Sequence, residues 1–270
     1  MPIITKITTQ AKNKERYNVY LDYGKGEEFG FSVDEYVLVK FQLKKGKEID
    51  DLDLTEIQYA DEVKKAYNLA LNYLSYRMRS KKEVSVYLKS KDVGEMVIRE
   101  IIHKLDEQRY LDDLEFAKAY ARTQINTTVK GPNLIRQELK EKGIDKEYIN
   151  ISLLDFCSND QLQTALKVAE KVKGKHQKLS ATALRQKIEQ ALQQKGYSFS
   201  IIQQLFDEWD VEKEDEEEWE ALKYQGLKVH RRYEKYSGWE YERRMKQALY
   251  RKGFSLEHIE RLLEELKDQE

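Results

Sequence analysis

Two periodicities divide the chain. Over residues 3–50 apolar and polar positions alternate. Ile3-Ile4-Thr5-Lys6-Ile7-Thr8 and Arg16-Tyr17-Asn18-Val19-Tyr20-Leu21 both repeat every second residue, as strands with one buried face do. Polar turns around Asn13 and over residues 22–27 set off a third stretch, Glu28-Phe29-Gly30-Phe31-Ser32-Val33. Residues 35–41 fit either a strand or a short helix. The pattern predicts a small antiparallel module of three or more strands, which needs a helix or a partner over its apolar face. From Leu54 onward the period is helical.

The helical region repeats a single phrase. Leu249-Tyr250-Arg251-Lys252-Gly253-Phe254-Ser255 reads as a helix end, a left-handed glycine and a new N-cap. Phe254 and Ile259 stand at the spacing of a hydrophobic staple. Leu192 to Ser198, with Gly196 and Ile202, repeats the phrase. Leu139 to Asp145, with Gly143 and Ile149, does so again. Leu88 to Gly94, with Ile98, is a degenerate copy in which Asp92 takes the glycine position, as Asp tolerates left-handed backbone better than most residues. An apolar residue precedes each Leu by four: Val84, Ile135, Ile188 and Met245. Others follow each hinge by ten (Ile102, Leu153, Phe206, Leu263) and by thirteen (Leu105, Phe156, Trp209, Leu266).

This is an internal repeat of about fifty residues, each unit reading helix A, helix B, hinge, helix C. Such units bury their apolar faces on their neighbours. The fold class is therefore mainly α: tandem three-helix repeats in an elongated array, with a small N-terminal antiparallel β module. The modules fall at 1–53 (β), 54–114, 115–158, 159–213 and 214–270 (the four repeats in order). Ser80-Lys81-Lys82-Glu83 and Ser237-Gly238-Trp239-Glu240 have the capping-box pattern and open helix B of the first and fourth repeats. Pro132, after Lys130-Gly131, suits a first helical turn.

Charge changes the picture. Lys+Arg 48 against Asp+Glu 49 leaves a net charge of −1, but the signs are segregated. Residues 64–91 carry +7 and 92–115 carry −5; residues 164–195 carry +6 and 207–218 carry −8; residues 228–252 carry +6 and 255–270 carry −4. Helices A and B are basic, and helix C with the following link is acidic. Helix-dipole matching accounts for some of this. A basic stripe for phosphate or for a repeating acidic surface explains why whole helices keep one sign.

Candidate chemistry is sparse. No phosphate-binding loop, dinucleotide fingerprint, GxSxG or HExxH occurs, and His103, His176, His230 and His258 are scattered. A lone Cys157 excludes a disulfide framework within the chain and reads as a small filler. Asp112-Asp113 reads as an N-cap pair, and the acids at 214–218 as a solvated link or helix start. Trp209, Trp219 and Trp239 read as packing residues at repeat ends. Tyr73, Tyr76, Tyr233, Tyr236 and Tyr241 interleave with Arg and Lys, the composition of a stacking surface for single strands or of amphipathic interface positions. No apolar run is long enough to span a membrane and no signal peptide opens the chain, which places it in the cytoplasm.

The stretches Arg77-Met78-Arg79-Ser80-Lys81-Lys82-Glu83-Val84 and Leu111-Asp112-Asp113-Leu114-Glu115-Phe116-Ala117, with the Lys-Gly-aromatic hinges, resemble the RecX family of bacterial regulators of the RecA recombinase. The β module and fourth repeat resemble the longer form found in Gram-positive bacteria. The resemblance implies a non-enzymatic modulator of DNA repair and recombination, without a cofactor or metal. It implies a monomer that lies along the groove of a RecA–DNA filament, bridges protomers, blocks strand exchange, dampens ATPase and co-protease activity and promotes disassembly. DNA is then met through or alongside the filament. Contacts are placed on Arg77, Arg79, Lys81 and Lys82 in the first repeat, on Lys130 and Arg136 in the second, and on Arg231, Arg232, Arg243, Arg244 and Lys246 in the fourth. Individually weak contacts would add through high effective concentration. The rival reading is a repeat-built single-stranded nucleic-acid-binding protein that acts without RecA.

Overall fold

The structure, a computed structural model, describes residues 1–209 and 215–267. The chain separates into two compact units, Met1–Phe116 with Lys142–Ile144, and Ala117–Glu141 with Asp145–Glu270.

The first unit begins with strands β1 (Ile3–Thr9), β2 (Arg16–Asp22) and β3 (Glu27–Asp34), antiparallel in the order β1-β2-β3. Residues 35–41 resolve as a short helix, α1 (Glu35–Lys40), because Asp34 accepts a hydrogen bond from the Tyr36 N–H and Val37 turns inward. The apolar sheet face carries Ile4, Val19, Leu21, Phe31 and Val33; Val37 of α1 and Ile57 of α2 (Asp51–Leu74) cover it. Asp50 and Asp53 form a capping box at the start of α2. With 24 residues this helix is about 36 Å long. Its second half leaves the sheet and joins α3 (Lys81–Lys89) and α4 (Glu95–Glu107) around a second core of Val63, Ala66, Ala70, Val84, Leu88, Ile101 and Leu105.

A buried carboxylate fastens the sheet to α2. Asp61, 4% exposed, receives both terminal nitrogens of Arg16 from β2 (3.2 and 3.0 Å), the Asp34 N–H from the end of β3 (2.8 Å) and Lys65 (2.7 Å). Burial pushes the Asp61 pKa up, but the hydrogen bonds from Arg16, Lys65 and the Asp34 backbone outweigh it and hold the carboxyl below its ordinary value.

The second unit holds most of α5 (Asp113–Thr127), then α6 (Pro132–Glu141) and α7 (Lys146–Ser152) of the second repeat. It continues with α8 (Ser158–Lys175), α9 (Ala181–Gln194) and α10 (Phe199–Glu208) of the third, and α11 (Asp215–Tyr233), α12 (Gly238–Tyr250) and α13 (Leu256–Lys267) of the fourth. The paired apolar positions of helix B lie at the centre of each repeat. Val84/Leu88, Ile135/Leu139, Ile188/Leu192 and Met245/Leu249 are all 0% exposed. The staples also bury, at Ile144 and Ile149, Tyr197 and Ile202, and Phe254 and Ile259.

Successive repeats are joined by one recurring contact. The carbonyl just before a hinge glycine lands on the N-terminus of the preceding repeat's helix B. Ser80 Oγ donates to the Lys142 carbonyl (2.7 Å), the Gly131 N–H donates to that of Lys195 (2.7 Å), and Ser180 Oγ donates to that of Lys252. Gly143, Gly196 and Gly253 hold φ of +80°, +86° and +88°. A Cβ there would stand 2.6 Å from the Lys82 side chain, 2.4 Å from the Leu134 backbone N and 2.8 Å from Ser180 Oγ, respectively. The glycines thus meet two demands, left-handed backbone and close approach. Asp92 also has positive φ (+59°) but is exposed, with no preceding repeat against it; only the first demand remains, and Asp meets it.

Two expectations fail at the fourth repeat. Ser237 makes no side-chain cap bond, so the box over 237–240 does not form. Gly238, at the first helical position, holds a φ of +57° instead of a helical one, so the first turn lacks the regular geometry that a side-chain cap requires. Trp239, expected to pack, is 73% exposed. The corresponding helix starts in the earlier repeats receive a hinge carbonyl, whereas no such hydrogen bond reaches this one among the described residues. Trp219 is buried as expected and Trp209 is half-buried. Asp112 caps α5 through the Glu115 N–H, while Asp113 instead accepts the Lys81 N–H. Cys157 is exposed at the start of α8. Residues 210–214 of the acidic stretch, and 268–270, lie outside the described residues.

Replacing Gly196 by Ala combines left-handed strain of about 1–2 kcal/mol with overpacking of about 1–3 kcal/mol, and will lower the urea midpoint followed by circular dichroism. Asp92→Gly will leave the midpoint unchanged or raise it. Asp61→Ala strands the half-buried Arg16 and will cost about 3 kcal/mol. Because the folded pKa of Asp61 is depressed, its stabilisation is complete above the unfolded value and disappears as pH falls through the folded one. The stability gap between the unaltered chain and Asp61→Asn will therefore be constant above about pH 5 and narrow below about pH 4.

Candidate functional site

The cations singled out by charge and motif fall into two groups. Those of the first repeat are largely engaged in its own construction. Arg77 pairs with Glu83 (3.1 Å), which also takes Lys142 (2.9 Å) and closes the Ser80 capping box. Burial raises the Glu83 pKa, yet the bonds from Arg77 and Lys142 bring it below its usual value. Lys81 reaches Asp106 of α4 (2.7 Å), and its backbone N–H is held by Asp113 (2.9 Å). The stem of Lys82 lies under Gly143. Arg79 stacks its guanidinium on Tyr73 at 4.0 Å, and Tyr73 stacks on Tyr87, also at 4.0 Å. The Arg79 Nε is buried without a hydrogen-bond partner among the described residues. In the second repeat Lys130 binds Glu138 and Gln124, and Arg136 binds Asn150.

The fourth repeat is different. Arg231 and Arg232 end α11 exposed to solvent and have no ion pair among the described residues. The following turn carries Lys235 and Tyr236, with the Lys235 ammonium 5.2 Å from the Tyr236 ring centre. Arg244 of α12 lies on the same ring at 4.1 Å, held by Glu240 at 2.7 Å, and Arg243 lies 5.2 Å from the exposed Trp239. Tyr233 stands 6.3 Å from Tyr236. The turn between α11 and α12 therefore presents guanidinium groups over flat rings, with Arg231, Arg232 and Arg243 turned to solvent. Such groups bind phosphate, carboxylate or an unstacked base. Lys246 is outside this cluster in function, since Glu260 of α13 takes its ammonium at 2.6 Å.

Trp239 and Lys235 join the site although no pattern in the sequence points to them. Trp239 has the spacing of a packing residue, and only the uncovered helix start reveals it. Within repeats, the sign change between helices is partly a tie. Lys81–Asp106, Lys223–Glu265 and Lys246–Glu260 each join helix A or B to an acidic helix C. No group of three or more His, Cys, Asp or Glu side chains able to hold a metal occurs among the described residues, and none of the described helices is long and apolar enough to cross a membrane.

Fold and site define a tandem three-helix repeat protein whose exposed chemistry is binding chemistry. Four RecX family domains match the chain: the regulatory protein RecX N-terminal domain over residues 2–50, the first three-helix domain over 66–105, the second over 112–153, and the third twice, over 159–206 and 215–263. The curated regulatory protein RecX of Geobacillus sp. (strain WCH70) is 50% identical over 268 residues, covering 99% of this chain and 98% of its own. That of Bacillus cereus (strain B4264) is 46% identical over the whole of both chains. A crystal structure of regulatory protein RecX superposes with a TM-score of 0.67 at 39% identity, covering 77% of this chain and 100% of its own. The crystal structure of RecX from Lactobacillus salivarius gives 0.53 at 39% identity over 56% of this chain and 99% of its own. The chain belongs to the RecX family of regulatory proteins. The double match of the third domain accords with a structural detail: α9 and α12 both start one turn further from the central apolar pair than α3 and α6 do.

Arg243→Ala with Arg231→Ala will leave unfolding stability within about 0.5 kcal/mol, as exposed positions do. Arg77→Ala, which uncouples a capping glutamate, will cost about 1–2 kcal/mol. A thermal shift series on the two variants separates contact residues from structural ones.

Proposed function

We propose that this chain regulates the RecA recombinase by binding the RecA–DNA filament along its groove, restraining strand exchange, ATP hydrolysis and co-protease activity. Membership of the RecX family supports the choice of partner. The observation that carries the contact surface is the uncovered turn of the fourth repeat, where Arg231, Arg232 and Arg243 have no carboxylate partner among the described residues and stand beside an exposed Trp239. A filament offers phosphates, acidic side chains and repeated copies of each. Four tandem repeats suit such a lattice, because each engaged repeat raises the effective concentration of the next.

The finer assignments belong to the same proposal: a cytoplasmic monomer divided into modules at 1–53, 54–114, 115–158, 159–213 and 214–270. Arg77, Arg79, Lys81, Lys82, Lys130, Arg136, Arg244 and Lys246 take secondary roles, since most of them already have partners inside the protein.

An ATPase assay on RecA filaments tests the reading. Arg231→Ala with Arg232→Ala and Arg243→Ala will raise the concentration needed for half-inhibition about tenfold while leaving the fold intact. Undiminished inhibition by that variant would place the contact elsewhere. Binding to bare single-stranded DNA as tight as to the filament, with a steep salt slope, would favour the rival reading of a nucleic-acid binder that acts alone.

A further inference from the structure

A second site lies in the first unit, lined by none of the cations placed in contact roles above. Where α1 meets α2 and α4 there is an open pocket of about 260 Å³ lined by Tyr36, Phe41, Tyr59, Tyr67 and three lysines, Lys40, Lys64 and Lys104. The Lys64 ammonium stands 5.5 Å from the Tyr36 ring centre and 5.9 Å from that of Tyr67, while Lys104 stands 4.8 Å from the same Tyr67 ring. Lys40 lies 5.4 Å from Phe41. None of the three ammonium groups has a carboxylate within salt-bridge distance among the described residues, although Lys64 and Lys104 are both half-buried. Two carboxylates line the pocket, Glu56 and Glu100, and Glu100 is occupied by the Tyr59 hydroxyl (2.7 Å). The Tyr67 hydroxyl is held by Gln108 (2.6 Å). Two like charges thus share one ring in a partly desolvated wall, with no counter-charge bound to either. A shallow groove of mixed charge, lined by Arg99, Glu100, His103, Lys104 and Glu107, continues from it.

We infer that this pocket binds single-stranded nucleic acid, taking one nucleotide with its base against Tyr36 or Tyr59 and its phosphate at Lys64 and Lys104. Three features select this ligand. The space suits one flat group, with the rest of a strand free to leave through the open side. Unpaired lysines interleaved with tyrosines match a phosphate-and-base repeat, with stacking and charge neutralisation contributing separately. An acidic peptide would use the lysines alone and leave the exposed Tyr36 and Tyr59 rings, 54% and 40% accessible, without a partner. The inference is independent of whether RecA is the protein partner.

The test uses the full chain and a fluorescein-labelled oligo(dT) carrying 5-iodouracil. Irradiation should cross-link the chain at Tyr36, Tyr59 or Tyr67, located by peptide mass spectrometry. Lys64→Gln with Lys104→Gln should weaken oligo(dT) binding at least fivefold and reduce the salt slope by about 0.7, the value for one phosphate of a single strand. Tyr36→Ala should weaken binding with the slope unchanged. Absence of binding by the unaltered chain, cross-links confined to other segments, or a lysine variant with unchanged affinity and slope would each overturn the inference. So would loss of binding to a Glu/Tyr copolymer, in the lysine variant, while oligo(dT) binding persists, since the occupant would then be an acidic protein segment. If a variant misfolds by circular dichroism, the cross-link map of the unaltered chain decides.

Discussion

The contact on which the repeats depend is a carbonyl presented by a left-handed turn to the start of another helix. In each junction the carbonyl just past the end of helix B, immediately before the glycine, accepts a hydrogen bond from a serine hydroxyl or a backbone N–H of the preceding repeat. Ser80 and Ser180 each do two things with one hydroxyl, accepting from their own helix (Glu83 N–H and Ala183 N–H) and donating to the next hinge. Both are buried, 0% and 1% exposed, and both are satisfied, as buried hydroxyls must be. A helix end and a helix start, each with groups that lack intrahelical partners, thereby complete one another. The bond is short-range and directional, so within the second unit it sets which residue of one repeat faces which residue of the next.

The same junction explains where the protein has chemistry to spare. Arg77, Lys82 and Lys142 lie at the first junction, where their charges and stems hold Glu83 and surround Gly143. At the fourth repeat the equivalent helix start is uncovered, Gly238 replaces a capped first turn, and the flanking cations face outward. Cations beside the start of a helix B therefore take opposite roles, bound inside the protein where a hinge lands and facing solvent where none does.

The β module follows a different logic. Its sheet has one apolar face, and α2 covers that face with its first half while building the first repeat with its second. One helix running through two cores, reinforced by the Arg16–Asp61–Lys65 cluster, places the module and the first repeat in the same compact unit. The lysine-and-tyrosine pocket forms where α1 and α4 are both held against α2.

Much is legible in the residues alone. The period-two alternation locates the sheet, and the spacing of Leu with Val84, Ile135, Ile188 and Met245 locates four helix-B cores, because burial of one helix face imposes its period on sequence. The hinge glycines and the motif carrying Arg77 to Val84 are equally visible, enough to indicate the family. What the sequence does not show is which charges are already spent. Arg77 and Arg231 look alike as letters; one is bound to Glu83 and the other faces water. Trp239 has the look of a packing residue, and the tyrosines of the pocket that of scattered interface positions. Many of the pairings, Lys246 with Glu260 and Ser180 with Lys252 among them, join residues from 14 to 72 positions apart, and local pattern contains no information about such distances. Helical periodicity is a property of one segment, whereas the availability of a side chain for a partner is decided by every segment packed around it.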